Sequence, residues 1–162
     1  MMIATSENLK RAFQQMHDAA VDAFTPVPKP WAFGAAVSFV TTTLVLTNHL
    51  KMENRLPVTV ETAQKKVIAD AISSRKLVVT QPDATQNGLA DPDSANYRHL
   101  RNCFGHGNWN YDPAQVSANA MTITLEDYKP NTNKRSWAAT MQEPDLINLA
   151  ENLLTETFSG MP

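Results

Sequence analysis

Residues 91–107 read DPDSANYRHLRNCFGHG, and elementary helix chemistry sets their conformation. Asp91 can cap a helix N-terminus, Pro92 fits the first helical position, where its missing N–H costs nothing, and Asp93 adds negative charge at the positive end of the helix dipole. Tyr97, Leu100 and Phe104 follow at helical spacing. Gly105 and Gly107 tolerate the positive φ of a helix end. The stretch predicts a helix over about 91–106.

Downstream the period shortens from helical to alternating. Met121, Ile123 and Leu125 alternate with Thr122 and Thr124, and Trp137, Ala139 and Met141 alternate after a polar turn. This predicts a β-hairpin over about 119–141. Pro144 and Asp145 then open a last helix, about 144–158, with Leu146, Leu149, Ala150, Leu153 and Phe158 on its apolar face.

Upstream, Thr5 is a plausible cap for a first helix carrying Leu9, Phe13, Met16, Ala20 and Phe24. Pro26, Pro28 and Pro30 end it. A second helix follows, and a third begins near Thr59 with Ala63, Val67, Ile68, Ala71 and Ile72. Thr80 to Ala90 has the turn chemistry of a loop. The expected fold class is all-α: an up-and-down bundle of four to five helices with a small β-hairpin inserted before the last one, in a single domain over 1–162.

Trp31 to Leu50 contains no Asp, Glu, Lys or Arg and is long enough to span a bilayer. Ser38, Thr41, Thr42, Thr43, Thr47, Asn48 and His49 weaken insertion, so a buried bundle helix is the favoured reading and no membrane role is expected. With 162 residues, 43% hydrophobic and 19% charged, the chain has the composition of a globular protein. Its single cysteine, Cys103, excludes an intrachain disulfide framework and, with no signal-peptide pattern, points to the cytoplasm. A net charge of −2 rules out the overall basic character of a tight duplex-DNA binder. Any nucleic-acid role must rest on a local patch.

Such a patch exists. From Ser94 to Tyr111 there is no acidic residue, while Arg98, His99, Arg101 and His106 lie inside. Arginine presents a planar donor fork to phosphate, and histidine transfers protons near neutral pH. Arg101 and His106, five positions apart, are about 140° apart around a straight helix. They share a face only if the helix loosens at Gly105; if a second protomer docks along the helix, both sides of it can line one cleft. Asn102 and His106 do share one. A structural reading is also open, with Arg101 bonding loop carbonyls and His106 capping the helix. His99, Cys103 and His106 lie on one helical face, but no further ligand group follows, so no metal is expected. Cys103 reads as a small buried residue.

Arg101-Asn102-x-x-x-His106, within Leu100-Arg101-Asn102-x-x-x-His106-Gly107, resembles the R-x(4–6)-H signature of HEPN domains. That resemblance implies an all-helical, dimeric, metal-independent endoribonuclease without cofactor, with Arg101 and His106 catalytic and Asn102 assisting. The implied reaction is attack of the ribose 2′-OH on the adjacent phosphate, giving a 2′,3′-cyclic phosphate. Arg98, His99 and Asn108 are the candidate substrate contacts. The implied partners are RNA, a second copy of the chain with the active site at the interface, and an antitoxin-like protein in a toxin–antitoxin or phage-defence setting. The alternative within the same family is a catalytically silent module that binds RNA, a nucleotide or a partner protein.

Overall fold

The computed structural model describes residues 6–24, 32–83, 91–112 and 121–159. The element order is α1 (Ser6–Phe24), α2 (Ala32–Met52), α3 (Val58–Ser73), β1 (Leu77–Gln81), α4 (Pro92–His106), β2 (Trp109–Tyr111), β3 (Thr122–Tyr128), β4 (Arg135–Gln142) and α5 (Glu143–Ser159). The chain packs as two compact units, one built from Met1–Val67 and Ile147–Pro162, the other from Ile68–Leu146.

In the first unit, Ala20, Ala23 and Phe24 of α1 are buried, and Phe24 meets Phe39 of α2 edge to face. The capping role expected for Thr5 and the proline stop at 26–30 lie outside the described residues. Among the described residues, α2 is the helix long and apolar enough to cross a membrane by length and composition. One stripe of it is buried: Ala32, Ala36, Val40, Thr43, Leu44, Thr47 and Leu50. The opposite side carries exposed Ser38, Thr42, Val45 and His49, so α2 is not enclosed on most sides as its composition suggests. Inside this unit sits a buried polar contact. Gln64 Nε2 of α3 donates to Thr157 Oγ1 of α5 at 2.6 Å, and Gln64 Oε1 lies 3.2 Å from Thr47 Oγ1 of α2. Glu61 of α3 pairs at the surface with Lys51 of α2 and with Lys65 of its own helix. Burial pushes its carboxyl up, but Lys51 and Lys65, each at 2.8 Å, outweigh that and hold it below its ordinary value.

The second unit departs from the expected bundle. The hairpin is present where the alternation placed it, with Ile123, Leu125, Trp137, Ala139 and Met141 buried. It is the centre of a four-stranded antiparallel sheet, order β1-β4-β3-β2, rather than a lone hairpin. β1 adds to β4 through the pairs Leu77↔Met141 to Gln81↔Ala138, and β2 adds to β3 through Trp109↔Leu125 to Tyr111↔Ile123. Thr80 and Gln81, expected in a loop, therefore belong to a strand. β1 and β2 span five and three residues, too short for a periodic pattern to stand out. Their extended state comes from pairing with strands distant in sequence. The protein is mostly helical, but it is not all-α.

α4 forms as its sequence dictates. Asp91 accepts a hydrogen bond from the Asp93 amide, and Pro92 occupies the first turn. Gly107 ends the helix at φ 68°, a left-handed conformation that costs glycine little. The helix passes Gly105 without loosening. Gln64→Ala should leave Thr157 Oγ1 without its buried donor and open a cavity, lowering stability by about 2–3 kcal/mol in urea denaturation.

A candidate site on one helix

The two faces of α4 divide its polar residues. Tyr97, His99, Leu100, Cys103 and Phe104 are buried, whereas Arg98, Gly105 and His106 are exposed and Arg101 and Asn102 half-buried. The outward residues fall at i, i+3, i+4, i+7 and i+8, one stripe of a regular helix. Because the helix is unbroken through His106, Arg101 and His106 keep the angular separation of an ideal helix within one protomer. They flank Asn102 on an accessible surface.

His99 has a different role from the exposed residues beside it. Its side chain is 4% exposed. Nδ1 lies 2.7 Å from Asp127 Oδ2 and Nε2 lies 3.1 Å from Asp83 Oδ2. Both contacts are hydrogen bonds when the ring carries both protons. The ring stacks on Trp137, with centroids 5.5 Å apart and planes 8° apart, and Trp137 Nε1 donates to Asn96 Oδ1 of the same helix. Arg98 Nη2 adds a second positive group at 3.3 Å from Asp83 Oδ2. Two carboxylates are thus met by an imidazole and a guanidinium, as groups withdrawn from water require.

From this cluster the contacts run outward. Asn102 Nδ2 donates to Asp127 Oδ2 at 3.0 Å, and Arg101 Nη2 donates to Asn102 Oδ1 at 3.0 Å. A cleft of about 300 Å³ opens alongside, lined in part by Asp83, Arg98, His99, Asn102, Asp127 and Lys129. The structure brings Arg98, His99 and Asn102 together at this cleft. Arg101, His106 and Asn108 are not among its lining residues. Asn108 instead stitches the helix end to the sheet: its amide donates to Cys103 O at 2.8 Å, and its carbonyl accepts from Glu126 N at 3.0 Å.

At the sheet's outer side, the Tyr128 hydroxyl and Arg135 hold the Glu126 carboxyl below its ordinary value, and Glu126 in turn raises the Tyr128 phenol. Burial, reinforced by the charges of Asp127 and Glu126, pushes the Cys103 thiol far up, which leaves it a packing residue rather than a nucleophile. Among the described residues, no group of three His, Cys, Asp or Glu side chains is placed to hold a metal ion. Of the three aligned candidates, His99 and Cys103 are buried while His106 is exposed.

Sequence reading passed over Asp83 and Asp127. For Asp127 there is a signal: it continues the inward alternation of Met121, Ile123 and Leu125, so a carboxylate takes the next buried position of β3.

Residues 4–159 match the family described as HEPN pEK499 p136, a span that takes in Arg101, Asn102 and His106. The chain belongs to this HEPN family. No curated protein and no solved structure matches it. HEPN membership carries a nuclease- or RNA-related role in general terms.

The two histidines of α4 should respond in opposite ways. His99→Ala leaves two buried carboxylates without their shared partner and should cost about 3–5 kcal/mol in urea denaturation. His106→Ala, at an exposed position, should change stability by no more than about 0.5 kcal/mol.

Proposed function

We propose that this HEPN protein is a metal-independent endoribonuclease, with Arg101 and His106 catalytic and Asn102 assisting. The observation that carries the reading is that Arg101 and His106 flank Asn102 on the outward side of α4, within a chain that belongs to a HEPN family. His106 takes the proton from a ribose 2′-OH. The 2′ oxygen then bonds to the adjacent phosphorus, and the bond from phosphorus to the 5′ oxygen breaks. His106 passes the proton on to the leaving 5′ oxygen, so the products are a 2′,3′-cyclic phosphate and a 5′-OH. Arg101 meets the charge that builds on the phosphoryl oxygens.

The angular separation of Arg101 and His106 fits a two-fold dimer. Two α4 helices docked along their outward stripes, with side-chain-free Gly105 allowing close approach, would place one protomer's arginine near its partner's histidine. Exposed Arg98 and half-buried Asn108 flank this seam as substrate contacts, while His99 serves from behind. The setting we propose is cytoplasmic, with RNA as substrate, no membrane, no cofactor and an antitoxin-like partner in a toxin–antitoxin or phage-defence system.

Purified protein should cleave single-stranded RNA in excess EDTA and leave cyclic phosphate ends. Arg101→Ala and His106→Ala should each lower the rate by about 100-fold or more, and Asn102→Ala by less. Cleavage that needs added metal, or that survives both substitutions, contradicts the reading. RNA or nucleotide binding without cleavage would identify a silent member of the family instead.

A further inference from the structure

Asn102 sits between a group that only accepts and a group that only donates. An ionised carboxylate has no proton to give, and a guanidinium has no lone pair to offer. The amide of Asn102 can satisfy both in just one orientation, with Nδ2 toward Asp127 and Oδ1 toward Arg101, and these are the contacts found at 3.0 Å each. Asp127 therefore sets which end of Asn102 faces Arg101.

Asp127 is itself held on every side. Oδ2 receives Asn102 Nδ2 and faces His99 Nδ1 at 2.7 Å, and Oδ1 receives the Tyr128 backbone amide at 3.0 Å. Behind it, Trp137 stacks on the His99 ring and Asp83 braces the far ring nitrogen. The support comes from β3, β4 and the residue pair following β1, none of which adjoins the motif in sequence.

We propose that Asp127 is a positioning residue for the nuclease site: by fixing the Asn102 amide from the buried sheet face, it aims the Arg101 guanidinium at the surface. This rests on the reading of Arg101 as catalytic. Asp127 is buried, and its effect passes through Asn102.

Two principal variants, a double-variant comparison and two readouts test it. Asp127→Ala removes the anchor. Asn102→Asp keeps an acceptor for Arg101 but sets a carboxylate against Asp127, and at a half-buried position it carries the test even if Asp127→Ala does not fold. The first readout needs no activity: the Arg101 Nε–H resonance should shift in both variants while that of Arg11, on α1, stays in place. The second is kinetic, on protein confirmed as folded by near-ultraviolet circular dichroism. We expect kcat to fall about tenfold in each variant with KM within about twofold of the parent. Combining Asp127→Ala with Asn102→Ala should lower kcat no further than Asn102→Ala alone. A merely structural aspartate would leave the kcat of the folded protein unchanged. An unmoved Arg101 resonance, parental kcat in Asn102→Asp, or multiplying effects in the double variant overturns the proposal. A shifted resonance together with cleavage that survives Arg101→Ala supports the Asp127–Asn102–Arg101 linkage and overturns the nuclease reading instead.

Discussion

One buried carboxylate organises the second compact unit. Asp127 occupies a strand position whose neighbours of the same face are apolar, and a charge there is tolerated only when its oxygens are met by donors. They are met by a ring nitrogen of His99, the side-chain amide of Asn102 and the Tyr128 backbone amide. Two of these three come from α4. The requirement to satisfy Asp127 therefore fixes the rotation of that helix over β3, and with it the direction in which the motif residues emerge. An apolar residue at the same place would pack the helix but would leave its rotation less specified.

The same helix shows how burial assigns opposite work to one residue type. His99 and His106 are seven positions apart, yet one ring lies beneath the surface between two carboxylates and against an indole, while the other stands exposed in the last turn. The first trades all of its hydrogen-bonding capacity for scaffolding. The second keeps its ring open to solvent, where a ligand can reach it. The two arginines differ in partner rather than in burial of this kind: exposed Arg98 meets buried Asp83, and half-buried Arg101 meets Asn102.

The strands that frame this helix illustrate a limit set by length. β3 and β4 are long enough for alternation to appear along the chain, with apolar side chains on the inward face and threonines between them. β1 and β2 offer too few residues for a period, and their extended conformation is stabilised by the ladder they join. Adding them turns a hairpin into a sheet, and that wider sheet carries the chain on to Asp83 directly after β1.

Local chemistry alone determined α4 from its aspartate cap to its glycine end, the central hairpin, the last helix and the motif Arg101-Asn102-x-x-x-His106, because caps, periods and motif spacing are properties of neighbouring residues. The family follows from the same signals. Only the tertiary structure decided that His99 is a buried support, that the helix stays regular through Gly105, and that Asp127 and Asp83 stand behind the motif. Those facts depend on which groups from distant segments exclude water around one another, and no spacing along the chain encodes that pairing.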